Sequence, residues 1–262
     1  MPGFELGSDH QRRLDAIRDE LAKVSTASAC QMMVRLGWRN PYMLGLLPLD
    51  TLGRGKRLVG RARTCQYLMQ RGTEAANDPA QRSTSAEIQL IESIDPGDVF
   101  CVDALGVKTA GIIGDILTTR IMARGAVAAV INGAVRDAPY IKEVGLPVFC
   151  ASIHPSASGR ELVAVDYDQP INMAGVHVLP GDILLADDEG IIAMSLDLAE
   201  YVADHGPGKE EVEEWIRAKI AEGGSVHDYY PPTPEKAAEY TEETGRVIEP
   251  ETPATPPPAT RS

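Results

Sequence analysis

Basic residues are in deficit: 25 Lys and Arg stand against 38 Asp and Glu, a formal charge of −13. Such a chain repels phosphate backbones and anionic lipid, and no basic stripe offsets the deficit, so no nucleic-acid partner is expected. Cysteine is scarce as well. Cys30, Cys65, Cys101 and Cys150 are far apart and form no CxxC pair, which argues against a zinc site or a redox dithiol. Cys101 in DVFCVDAL and Cys150 in LPVFCAS lie in strand-like runs and read as reduced core thiols of a cytoplasmic protein. No apolar run reaches the ~18 residues that span a bilayer. MPGFELGSDHQRRLDAI lacks the apolar core of a signal peptide, so a soluble, non-exported protein with no membrane partner is expected. Also missing are a Walker loop, a Ser/His/Asp set and a nicotinamide fingerprint; GVKTAGIIGD has neither the GxGxxG spacing nor its setting.

What is present suffices for a substantial core: 262 residues, 44% of them hydrophobic. Over residues 9–24, Leu14, Ile17, Leu21 and Val24 recur at three- and four-residue intervals, the spacing of one apolar helix face. STASACQMMVRLG opens on cap residues and stops at Gly37, which predicts a second helix. From about 58 to 195 the pattern turns to short β-rich runs: RLVGRARTCQYL, DVFCVDAL, AVAAVIN, PVFCAS, INMAGVHV, DILLAD and GIIAMS. DILLADDEGIIAMS is the clearest hairpin, with Asp-Asp-Glu-Gly as its turn. PGDVFCVDA at 96–104 recurs as PGDILLADD at 180–188, two similar turns feeding strands and too few copies for a solenoid.

SLDLAEYVADHGPGKEEVEEWIRAKIAEGG then predicts helix broken at Gly206-Pro207-Gly208 and ended by Gly223 and Gly224. Residues 231–262 hold eight of the 19 prolines and read as a mobile tail on a single domain spanning 1–230.

The stretch with most chemistry is GDILTTRIMARGAVAAVINGAVRD, Gly114 to Asp137. DILTTRIMAR suits a helix of ~15 Å and AVAAVIN a strand of ~20 Å. A strand returning antiparallel to the helix would set Gly114, Asp115, Ile116 and Leu117 beside Arg136 and Asp137. The first cluster then offers uncapped N–H groups at a positive helix end, a seat for a carboxylate, and Gly114 permits close approach. The second pairs a five-donor guanidinium with a hard oxygen ligand for Mg²⁺ or Mn²⁺. Together they suit a 2-oxo acid and its enolate. Read singly, the same residues are a helix-start acid and a surface ion pair.

GDILTTRIMARGAVAAVINGAVRDAPYIKEVGLPVF, with PGDILLADDEGIIAM, resembles the regulator of ribonuclease activity A family, which includes 4-hydroxy-4-methyl-2-oxoglutarate aldolases and oxaloacetate decarboxylases. The resemblance runs from roughly Ser25 to Pro231. It implies an α/β domain of swivelling α/β/β/α type, a compact β-sandwich core flanked by helices with a helical N-terminus and a C-terminal helix. It also implies a homotrimer or homohexamer with the site between subunits, using Mg²⁺ or Mn²⁺. On that resemblance Arg136 holds and polarises a pyruvyl unit, Asp137 ligates the metal, and Gly114, Asp115, Ile116 and Leu117 bind the substrate carboxylate, with Asp115 handling a catalytic water. Glu213 or Glu214 of a neighbouring subunit orders metal-bound water; as plain sequence the two are a solvated helix face.

The implied activity is a metal-dependent carbon–carbon lyase acting on a 2-oxo acid with a pyruvyl unit, by retro-aldol cleavage or oxaloacetate-type decarboxylation. Hydration or dehydration of a sugar-derived 2-oxo acid, and non-enzymatic binding of a ribonuclease, are the alternatives. Gln31 and Asn132 depart from the acids common in the aldolase branch, which leaves the substrate open. The segment 63–83 reads either as a substrate-facing loop or as an uninvolved excursion. His154, on a loop after a strand, could contact substrate or move a proton near neutral pH but reads more readily as a merely hydrogen-bonded histidine, and His177 reads as structural or surface.

Overall fold

A computed structural model describes residues 8–71 and 83–248. Helix α1 (Ser8–Leu21) buries Leu14 and Leu21 completely, as the spacing predicts. Helix α2 (Thr26–Arg35) starts where Ser25 Oγ accepts the Ser28 N–H, and Gly37 follows it at φ +88°. The remaining elements are β1 (Leu47–Pro48), β2 (Leu58–Met69), α3 (Ala86–Glu92), β3 (Asp98–Asp103), α4 (Asp115–Ala123), β4 (Ala128–Val135) and α5 (Ala138–Val144). After these come β5 (Val148–Ile153), β6 (Leu162–Tyr167), β7 (Ile171–Met173), β8 (Val176–Val178), β9 (Ile183–Asp187) and β10 (Gly190–Met194). Helices α6 (Leu196–Ala221), α7 (Val226–Tyr229) and α8 (Pro234–Thr244) end the described chain.

The fold is mixed α/β with one curled sheet in the order β1-β5-β4-β3-β2-β9-β10, and β6 on the far part of β2. Strands β2 to β5 run parallel; β1, β6, β9 and β10 pair antiparallel. Pro41 to Met43, just ahead of β1, hydrogen-bond to Ile191 and Ala193 of β10, so the sheet nearly closes on itself. Its two halves face each other across an interior of Ala62, Val99, Phe149, Leu184 and Ile191. INMAGVHV plugs this interior as a hairpin rather than one strand: Ala174 (φ +51°) and Gly175 (φ +93°) make a two-residue turn between β7 and β8, and two positive φ values match the strand twist. Outside, α3, α4 and α5 pack on Phe100, Ile131 and their neighbours. On the other part of the outer face, α1, α2 and α6 pack on Ile192 and Met194.

The repeated Pro-Gly-Asp turns are structural twins. Gly97 and Gly181 take φ +89° and +91°, and Asp98 and Asp182 each accept the N–H three residues back, from Asp95 (2.9 Å) and Leu179 (2.8 Å). In the β9–β10 turn Asp187 accepts from Thr26 N and Oγ1 at the start of α2, and Asp188 accepts from Leu52 N.

Three expectations need correction. Helix α6 is continuous through Pro207. An interior proline costs ~3 kcal/mol, but Leu198, Val202 and Ala203 are buried ahead of it and Gly206 lies where any Cβ would sit 2.4 Å from Val24, so packing carries the helix across. The expected tail from 231 is ordered over α8, which Thr233 caps, Pro234 opens and Gly245 (φ +73°) closes; Tyr240 is buried. The remainder of that tail, 249–262, lies outside the described residues. In the segment 63–83, residues up to Met69 belong to β2, because Cys65 and Tyr67 fill the core; 72–82 lie outside the described residues. Among the described residues no helix is long and apolar enough to cross a membrane.

Burial pushes the Asp182 carboxyl from its ordinary 3.8 up to about 7, against the opposing Leu179 hydrogen bond. The fold therefore binds this proton more tightly than the unfolded chain does, and the associated stability is lost as pH rises from about 4 through 7. Asp182→Asn, which keeps an acceptor for Leu179, is expected to leave the melting temperature little changed near pH 4 and to raise it at pH 8. Thermal denaturation across that range checks the flattening.

Candidate active site

Strands β3, β4 and β5 are parallel, so their C-terminal ends open at one edge, the usual place for ligands in such sheets. After β3 a glycine-rich connection leads to α4; after β4 come Arg136 and Asp137; after β5 comes His154. Gly125 (φ +96°) turns α4 back into β4 against Pro96. The two polar clusters thereby meet. Ile112 N donates to Ala134 O (2.9 Å) and Arg136 N to Ile113 O (3.0 Å), and a Cβ on Gly114 would lie 2.5 Å from Asp137 Oδ2 and 3.2 Å from Arg136 Nε.

The helix end is open. Gly114 caps α4 with extended backbone and no side chain, so the N–H groups of Asp115, Ile116 and Leu117 point out of the first turn. Thr118 Oγ1 holds the Gly114 carbonyl at 2.8 Å. Ile116 is 77% exposed on this turn.

Arg136 Nε donates to Asp137 Oδ2 at 3.0 Å, with the two side chains 40% and 36% exposed. Neither terminal guanidinium nitrogen bonds a described residue, which leaves its fork available to a planar anion. Asp137 occupies the N-cap position of α5 at φ +54°, ψ +34°, yet its carboxylate caps nothing. Aspartate tolerates the left-handed region better than most residues, and here that backbone leaves the carboxylate free of the adjacent helix. Its hard oxygens suit Mg²⁺ or Mn²⁺, ions that one protein carboxylate can hold while most of their waters stay.

Other candidates fall elsewhere. Glu213 and Glu214 are on α6, which packs with α1 and α2, across the sheet from the helices beside Arg136; one chain does not bring them to the cleft. Glu213 pairs with Lys209 and, at 3.9 Å, with Arg217. Among the described residues no three His, Cys, Asp or Glu form a metal-ready group. His154 N donates to Val135 O (2.9 Å) and its Nδ1 accepts from Ser156 N (3.2 Å), which sets its tautomer one strand away from Arg136. His177 is exposed on β8. Gln31 lines a separate groove with Thr26, Cys30, Tyr42 and Glu189. Asn132 Nδ2 donates to the buried Asp103 (3.0 Å), where an aspartate would face like charge.

Two supports escaped the sequence reading. Gly111 sits where a Cβ would come 2.8 Å from Arg136 Cβ, and Gly133 within 2.9 Å of Ala104 Cβ. The glycine density of GVKTAGIIG and NGAV carries that signal, since close backbone approach needs the missing Cβ.

Residues 22–193 match the family described as RraA-like, Aldolase/RraA. Over 184 residues the chain is 29% identical to protein DlpA of Legionella pneumophila, a match covering 70% of this chain and only 28% of DlpA. Over 106 residues it is 31% identical to a 4-hydroxy-4-methyl-2-oxoglutarate aldolase of Thermus thermophilus, covering 40% of this chain and 64% of that protein. The crystal structure of Streptomyces coelicolor RraAS2, described as an unusual member of the RNase ES inhibitor RraA protein family, superposes with TM-score 0.68 at 32% identity. That superposition covers 82% of this chain and 99% of RraAS2.

Gly114→Ala tests the cleft directly. The added methyl must displace Asp137 Oδ2 or Arg136, so oxalate binding in the presence of Mn²⁺ is expected to weaken about tenfold or more, ~1.4 kcal/mol, with the fold retained. Titration calorimetry and far-ultraviolet circular dichroism measure the two.

Proposed function

The chain belongs to the RraA-like family, and from that premise we propose that it is a divalent-metal-dependent carbon–carbon lyase acting on a 2-oxo acid with a pyruvyl unit. The observation that carries the reading is the convergence of three groups in one cleft. They are the open first turn of α4, the free fork of Arg136 and the uncapping carboxylate of Asp137. An aldolase-type chemistry also agrees with the name of the Thermus thermophilus relative.

In this reading the substrate carboxylate accepts from the backbone N–H groups of the first α4 turn, where the helix end favours negative charge. Arg136 donates to the keto oxygen and holds the pyruvyl plane. Asp137 would hold Mg²⁺ or Mn²⁺, which when bound supplies Lewis-acid stabilisation of the enolate. Asp115 takes up the proton of the substrate hydroxyl through a water as the C3–C4 bond breaks, and a proton returned to C3 completes pyruvate. Loss of carbon dioxide from oxaloacetate yields the same enolate and needs no hydroxyl proton. A second carboxylate, Glu213 or Glu214, comes from a neighbouring copy in a homotrimer or homohexamer. Leu105, Ile116, Tyr140 and Ile153, all exposed at this edge, support a partner there.

A second reading, regulation of a ribonuclease by protein contact, draws on the likeness to RraAS2. Capture of a ribonuclease by a chain without lyase activity would favour it.

Asp137→Ala, or chelation of the wild-type protein, is expected to lower oxaloacetate decarboxylation by about two orders of magnitude or more, the ~2.7 kcal/mol scale of a lost charge-stabilising group. Pyruvate formation with Mn²⁺ present is the measurement, and unchanged turnover in either experiment sinks the metal-enolate reading.

A further inference from the structure

Helix α6 has two unequal parts. Before Pro207 it is anchored through Leu196, Leu198, Ala199, Val202 and Ala203; after it, only Ile216 is buried. Glycine on both sides and the missing proline N–H make 206–208 its weakest point, so the backbone alone does not aim the distal half. One tether lies close to the break, where Glu210 accepts from Ser25 N (2.8 Å) and Ser25 Oγ (2.6 Å).

The other tether is the C-terminal segment, beyond the residues that match the family. Trp215 packs against Tyr229 at 5.4 Å and edge-on to Tyr240 at 5.3 Å, and its Nε1 donates to Glu243 at 2.8 Å. Lys219 bonds Glu243 (2.6 Å) and Glu239 (3.1 Å), and Arg246 pairs with Glu211. Glu211, Trp215 and Lys219 recur every four residues, so they form one face of α6, and α7 and α8 cover it. At 100° per residue Glu213 projects from nearly the opposite side and Glu214 from the flank; Glu214 is exposed and bonds no described residue.

We propose that α7 and α8 form a splint that sets the direction of α6 beyond Pro207, with Trp215 as the positioning residue that presents Glu213 and Glu214 to the Arg136–Asp137 cleft of a neighbouring copy. The catalytic half of this inference rests on the reading above; the mechanical half does not. Substrate contacts belong to the other chain's cleft, so loosening the splint disturbs the step that needs the delivered acid more than it disturbs substrate binding.

The test uses the full chain with Trp215→Ala and Trp215→Phe. Amide hydrogen exchange of 209–221 is expected to quicken about tenfold or more in the alanine variant, while 14–206 keep their protection, as local opening predicts. With saturating Mn²⁺, kcat for oxaloacetate decarboxylation falls about tenfold and KM changes less than twofold. Phenylalanine, which keeps the ring contacts, restores most of both. Unchanged exchange in Trp215→Ala overturns the splint whatever the chemistry. Faster exchange with unchanged kcat, or a loss that phenylalanine does not rescue, overturns the positioning role. Full activity in Asp137→Ala defeats the catalytic reading and the delivery role with it, while the exchange result still decides the splint.

Discussion

The chain of buried charges linking β2, β3 and the end of β6 is the constraint on which the rest is built. Asp98, fully buried, accepts Arg61 Nε at 2.8 Å and Arg63 Nη1 at 3.2 Å, and Arg63 closes a two-point contact with Asp168 at 2.9 Å on each arm. The arginines also reach opposite helix layers, Arg61 to Gln11 of α1 and Arg63 to Ser93 after α3. Wholesale apolar replacement of such a network often costs nothing, whereas losing one member strands a buried charge at ~3–5 kcal/mol. Its contribution is therefore register: β2, shared by β3, β6 and β9, has one alignment that pairs all four charges. That alignment also fixes where β3 starts and hence where its far end delivers the chain to the cleft.

At that far end the governing quantity is close approach of backbone. Gly111, Gly114 and Gly133 each stand where a Cβ would meet a neighbour at 2.5–2.9 Å. The segments before α4 and after β4 consequently lie side by side, and Asp137 is held at φ +54° because Ala138 and Ile141 behind it are buried in the α5 contact. Rigid packing on one side and an open helix turn on the other leave Arg136 and Asp137 as the adaptable polar groups between them.

Much of this was legible before any coordinates. The second helix began at its Ser25 cap, the paired Pro-Gly-Asp turns behaved alike, and the helix-and-return arithmetic placed Gly114 beside Asp137. What escaped was whatever tertiary contact decides. INMAGVHV has the alternation of one strand, and only the backbone of Ala174 and Gly175 folds it into a hairpin. Gly206-Pro207 reads as a break until Val24 is seen to need the glycine. A high proline count suggested a mobile tail, although Thr233, Pro234 and Gly245 are the cap signals of a real helix. The acids at 213 and 214 were the least legible, since their helix spacing matches that of an ordinary solvated face.

The two halves of the candidate site therefore have different standing in the fold. The segment matching the family, 22–193, takes in the sheet but for Met194 at the end of β10 and both glycine clusters, so Arg136 and Asp137 lie within it and are coupled to the core through Val135, Ala138 and Ile141, all buried. The distal half of α6 contributes Ile216 alone to the buried set and is otherwise held by Glu210 to Ser25 near the break and by side chains of the C-terminal segment from α7 to Arg246. The scaffold thus separates a cleft coupled to the core from a helix end held mainly by side-chain contacts, the first set by backbone packing and the second by a few aromatic and charged groups.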